Sequence, residues 1–217
     1  MVTESTGGMG AAGWALVGAP LDCSGTNRGE ARAPEELRRA GIDEAVSRDA
    51  GDTEVRIDDP TRDPRTGVIG FEQLVEASSE IRSAVAAVVE RGERPLVVGG
   101  DCSVLVGALA AAKGRLGRVG LAFLDGHLDY FGGDTSPSGE AADMDLAFVC
   151  GYGPARLVDL AGPSPIVGPG DVVVMGHRPD AEDASPREED LVDERTQLVQ
   201  AQAVMRGDPE RLGRYVA

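Results

Sequence analysis

Asp125, His127 and Asp129 alternate in the run Asp125-Gly126-His127-Leu128-Asp129, directly after the apolar stretch Leu121-Ala122-Phe123-Leu124. On a near-extended backbone these three side chains share one face, because strand periodicity is two. Two carboxylates and an imidazole converging there repel or titrate unless a cation neutralises them. Oxygen and nitrogen donors of this kind suit manganese, and also zinc or iron. The plain alternative is a polar strand-to-loop turn with a solvated histidine, but the DxHxD spacing after a buried strand favours metal ligation.

A second strand end carries Gly99-Gly100-Asp101-Cys102-Ser103 after Leu96-Val97-Val98. Alone it says less. It reads equally well as a glycine-rich turn into a helix, with Asp101 or Ser103 as cap and Cys102 as a small buried residue. It has neither the GxGxxG pattern nor the lysine of a P-loop, which excludes nucleotide binding there.

The elements that position these residues follow from periodicity. Strands are expected at 14–18, 53–58, 95–100, 119–124 and 171–176, the middle of each being short and apolar or alternating. A short helix opens at Ala33-Pro34, with proline suited to the first turn. The clearest helix runs from Phe71 to Glu90, with Phe71, Leu74, Val75, Ile81, Val85 and Val88 near the 3.6-residue period. Another is expected over 103–113, closed by Gly114. The capping-box form Ser185-Pro186-Arg187-Glu188 opens a last one towards Met205. Strands alternating with helices predict an α/β domain with a parallel sheet flanked by helices. In open sheets of that kind, ligands collect beyond the carboxyl ends of the strands, where both glycine-rich runs lie.

The chain has 217 residues and a formal charge of −16. That balance argues against nucleic-acid or anionic-membrane partners, which need basic patches. Three cysteines without CxxC spacing make a disulfide framework or structural zinc site a poor reading. No apolar run approaches ~20 residues and no signal pattern opens the chain, so a cytoplasmic location is expected. Residues 1–12 read as a loose leader, and 13–217 as one domain.

Together these pieces resemble the ureohydrolase family, which includes arginase and agmatinase. GGDCS at 99–103 is similar to that family's GGDHS, DGHLD at 125–129 to its DAHxD, and residues 18–41 to its opening Gly-x-Pro loop and first helix. The resemblance implies a three-layer α/β sandwich with a mostly parallel sheet and two divalent ions, manganese first. It implies that Asp125 bridges the ions, that His127 and Asp129 each bind one, and that Asp129 also takes part in catalysis with His127. Cys102 stands where the family has its first histidine ligand, a softer donor that shifts preference towards zinc or iron. Asp101 is expected to orient a ligand. The family's SGNxHG substrate loop is matched here by Ser138 and Gly139, while Glu140 replaces the asparagine and Ala142 the histidine. Ser138 and Glu140 are the expected substrate contacts.

The family's later SxDxDxxDP has no match in this sequence. The chain is therefore expected to be a C-terminally truncated member that lacks the last strands of the sheet. Asp143 and Asp145 have the DxD spacing but fall in the substrate loop by order. Asp190, Asp193 and Glu194 read as a solvated helix face. The expected activity is binuclear hydrolysis of a C–N bond in a small cationic, linear guanidino or amidino compound by a possible homo-oligomer. The alternative is a non-catalytic paralogue or interaction module that keeps the fold without a working metal pair.

Overall fold

The computed structural model describes residues 13–179, 186–207 and 213–214. The expected leader at 1–12 and Ser185 of the capping box lie outside them. The six described strands are β1 (Trp14–Ala19), β2 (Arg48–Asp52), β3 (Arg94–Gly99), β4 (Leu121–Leu124), β5 (Val172–His177) and β6 (Gln197–Gln200). The described helices are α1 (Ala33–Arg39), α2 (Phe71–Glu90), α3 (Val104–Leu116), α4 (Asp145–Val149), α5 (Ala155–Val158), α6 (Pro186–Leu191) and α7 (Ala201–Arg206). Every strand pair is parallel, as the alternation of elements requires. Among the described residues the strands form two three-stranded sheets, ordered β2-β1-β3 and β4-β5-β6, where one sheet was expected.

Three expectations need correction. Residues 53–58 form no strand, and the partner of β1 is the polar segment 48–52, with Ala15 opposite Arg48 and Leu16 opposite Asp49. The alternation at 53–57 is real, but it reports burial of Val55 and Ile57 in a loop that covers the core. That loop satisfies its amides with side chains: Glu54 donates to Glu80 at 2.5 Å, and Asp58 and Asp59 to Gln73 at 3.1 Å. Second, the helix from Pro186 ends at Leu191, and Gln197–Gln200 pairs with β5 before α7 begins. Pairing with β5 overrides the helical preference of that segment. Third, α3 runs through Gly114 to Leu116 and ends at Gly117, whose φ of +78° suits glycine.

One core cluster lies beneath both sheets. Helix α2 presents Leu74, Ile81 and Val85 to it, and α3 adds Val106 and Ala110. The two helices approach closely at Gly107, where an added Cβ would stand 2.6 Å from the Ser78 carbonyl oxygen. This contact holds the start of α3, and with it Cys102, against the body of the fold. The β1 and β3 ends are joined just above. The Gly100 amide donates to Ala19 at 3.0 Å and that of Asp101 to Leu21 at 3.2 Å. No side chain fits at Gly100, because a Cβ would meet the Leu21 carbonyl oxygen at 1.7 Å. No described helix is long and apolar enough to cross a membrane.

Candidate metal centre

The carboxyl ends of β3 and β4 bring Cys102, Asp125 and Asp129 together. One donor atom from each lies within 4.8 Å of the other two. Asp125 leaves β4 with its amide bonded to Met175 on β5 at 3.1 Å, and its Oδ1 accepts the His127 amide at 2.9 Å. The backbone then turns. Asp129 sits in the left-handed region at φ +50°, a conformation that is uncommon for a residue with a side chain and that collects at functional sites. Asp125 and Asp129 are therefore neighbours through a turn and not through the alternation of an extended strand.

His127 departs from that pair. Its ring is partly exposed, with Nδ1 3.6 Å from Asp125 Oδ1 and Nε2 3.1 Å from an Arg178 nitrogen. It is beside the cluster, against the C-terminal end of β5, and not among the three converging donors.

Asp101 clasps the two loops. Its Oδ2 accepts the Cys23 amide at 2.5 Å, and its Oδ1 accepts the amide and hydroxyl of Ser103 at 2.9 and 2.5 Å. It thus sets the turn that presents Cys102. Of the residues expected to contact substrate, Ser138 donates to Asp143 at 2.7 Å and accepts the Glu140 amide at 2.9 Å. Glu140 pairs with Arg28 at 2.6 Å. Asp190 and Glu194 are exposed, and Asp193 binds Arg195 at 2.7 Å.

Two carboxylates that the sequence had assigned elsewhere, one to the substrate loop and one to a helix cap, lie at this site. Asp145 opens α4 and is completely buried. Among the described residues neither of its oxygens has a well-formed hydrogen-bond partner. It is carried to the cluster by two backbone links, Ala147 to the Asp129 carbonyl at 3.3 Å and Phe131 to the Asp143 carbonyl at 3.2 Å. Glu188 is buried on α6 and accepts the Tyr130 amide at 3.0 Å, so it fastens the loop after Asp129. The capping-box pattern identified Glu188 for a different partner. The DxD spacing was the only local sign of Asp145.

The electrostatics follow from this crowding. Burial first, and then the charge of Asp125, pushes the Asp129 carboxyl up to about 7. Burial, with Asp129 next, holds Asp145 well above the usual carboxylate range. Cys102 has accessible surface at the rim. Even so, loss of hydration around its sulfur, followed by the fields of Asp145, Asp129 and Asp125, pushes its thiol up to about 12. Several acids that hold protons against their nature in one spot are what a missing counter-charge produces. The donor set of one thiol and two carboxylates, with an orphaned buried carboxylate beside it, fits a divalent cation.

The two glycine-rich strand ends also occur in a recognised order along the chain. The model of the arginase family matches residues 12–212. This chain belongs to the arginase family. An arginase of Bacillus caldovelox is 34% identical over 170 residues, which are 75% of this chain and 57% of the relative. An arginase of Brevibacillus brevis is 32% identical over 169 residues, 75% of this chain and 56% of that relative. The native crystal structure of the Bacillus caldovelox arginase superposes with a TM-score of 0.81 at 29% identity, over 94% of this chain and 69% of that one. This arginase-family chain thus has the arginase-like α/β fold and spans little more than half the length of the curated relatives it matches.

Proposed function

We propose that the protein is a metal-dependent hydrolase of the arginase family that cleaves a C–N bond of a linear guanidino or amidino compound in the cytoplasm. The observation that carries this reading is the convergence of Cys102, Asp125 and Asp129 from the two strand ends that bear the family's motifs. A divalent cation held there would supply an acidified water and a positive field for developing negative charge. Cys102, Asp125 and Asp129 are the residues to hold it. The pair of manganese ions implied by the resemblance would need His127 as well, and that side chain is turned to Arg178.

The chain's own residues account for the rest. A guanidinium or amidinium group is drawn in by the excess of carboxylates around the cluster. Asp129, ionised once a cation is bound beside it, is placed to accept a hydrogen bond from the attacking water at its carboxylate. His127, partly exposed beside Asp125, is placed to pass the water's proton on to solvent. Ser138 and Glu140 are the proposed contacts for the far end of the substrate. Glu140 is already engaged by Arg28, so a neutral tail fits this loop better than a second cation.

The test is release of urea, amine or ammonia from a panel of guanidino and amidino compounds, with the metal-loaded full chain and with Asp125→Asn. Turnover that is lost in the variant supports the reading. Tight metal binding with no release from any compound overturns it in favour of a non-catalytic family member.

A further inference from the structure

Asp145 is the one carboxylate at this site with no role in what has been said so far. Its side chain is 0% exposed, and it does not cap α4, whose N-terminus has no side-chain cap bond. It has no ion pair among the described residues. The charges that act on it most strongly are Asp129, Asp125 and Asp101, and it is in turn the charge that acts most strongly on the Cys102 sulfur. The fields on it come from other acids. Such a group stays buried without a partner only by holding its proton, and a cation bound beside it would offset that cost.

We propose that Cys102, Asp125 and Asp129 form a site for a single borderline-soft divalent ion of the zinc and cobalt type, with Cys102 bound as thiolate and Asp145 as an unpartnered buried carboxylate beside it that adds negative charge to the site. The proposal rests on the metal-binding part of the function proposed above and not on the reaction. A thiolate selects borderline ions over manganese, which prefers oxygen and imidazole, and three protein donors with a fourth position left for water suit tetrahedral coordination. Binding replaces the thiol S–H bond with a sulfur–metal bond and releases that proton to solvent. Carboxyl groups that were protonated release theirs in the same step, so the cation removes the mutual repulsion of the cluster.

The experiment is titration of the full chain with Co2+, read by absorbance and by equilibrium dialysis, together with melting of the metal-free protein. Tighter binding of cobalt than manganese would be common to most such sites, so the decisive signal is the thiolate-to-cobalt charge-transfer band in the near ultraviolet. One ion per chain with that band is expected. Cys102→Ser should abolish the band and weaken binding at least tenfold. Asp145→Asn should keep the band and weaken binding about tenfold or more, in the range typical of lost metal-site partners. The same Asp145→Asn change should raise the melting temperature of the metal-free protein, an effect opposite to that of removing a structural contact. Binding of Co2+ without the band overturns the thiolate assignment. Unchanged affinity in Asp145→Asn, or a lower melting temperature of its metal-free form, overturns the role of Asp145. Turnover without the band would leave the hydrolase standing and this site refuted, while the band without turnover would do the reverse.

Discussion

At the scale of single residues, Asp129 combines two costs: a left-handed backbone and a buried acid facing other acids. Asn tolerates the left-handed conformation as Asp does, so Asp129→Asn removes charge without disturbing the turn. A carboxyl whose pKa rises from 3.8 to about 7 on folding stabilises the protein below pH ~4. That contribution fades as pH rises towards 7 and is gone above it. Asp129→Asn should therefore match the parent at pH ~4 and melt higher by roughly 2–4 °C at pH 8, as for about 1 kcal/mol, when both are metal-free. Thermal melts across that range check the sign, and an equal or lower melting point at pH 8 would refute it. Cys102, Asp125 and Asp129 were legible in the sequence because each adjoins a strand end, so short-range patterns located them. Asp145 showed only as half of a DxD pair and was assigned to the substrate loop, because a loop folding back onto the Asp129 backbone brings it in and spacing alone does not encode that return. His127 shows the opposite failure. The alternation placed it with its neighbours, whereas the chain bends at Gly126 and His127 and the ring lies against Arg178.

At the scale of elements, the site depends on how α3 lies on α2. Two glycines in α3 make opposite predictions from the same substitution. Gly114 has nothing within 4 Å of an added Cβ, so Gly114→Ala should gain about 0.5–1 kcal/mol from the helix preference of alanine. Gly107→Ala has the same intrinsic gain, but its Cβ would be driven to 2.6 Å from the Ser78 carbonyl oxygen and into Ile81. It should lose about 1–3 kcal/mol as the helices part. Denaturant unfolding of the two variants measures both signs, and stabilisation by Gly107→Ala would show that the helices do not meet as described. The element order was largely readable: α2 over its full length, β1, β3, β4 and β5 to within one or two residues, and the parallel pairing. What escaped was decided by partners. β2 is a polar edge strand with no apolar pattern of its own, and β6 is a strand only because β5 offers it a ladder. The alternating 53–57 looked like a strand because burial follows the same period whether or not the backbone is paired.

At the scale of the whole molecule, the four sheet edges are of two kinds. The outer edges are polar: β2 carries Arg48, Asp49 and Asp52, and β6 carries Gln197 and Gln200, the residues that blunt an exposed strand. The other two edges belong to β3 and β4. Among the described residues β3 pairs only with β1 and β4 only with β5, and both are apolar, with Leu124 74% exposed. An apolar edge with unsatisfied backbone groups is a template for another strand. The charge of −16 opposes contact between copies, and salt screens that repulsion. This chain should therefore self-associate as concentration and ionic strength rise, and light scattering with sedimentation at two salt concentrations would follow it. Leu124→Lys places a charge on the β4 edge and should return the protein towards monomer at high salt. Leu116→Lys, equally solvent-facing on α3 at 67% exposure but off the sheet, should not. A chain that stays monomeric at high salt, or that responds to both substitutions alike, would show that the β3 and β4 edges are not what drives association.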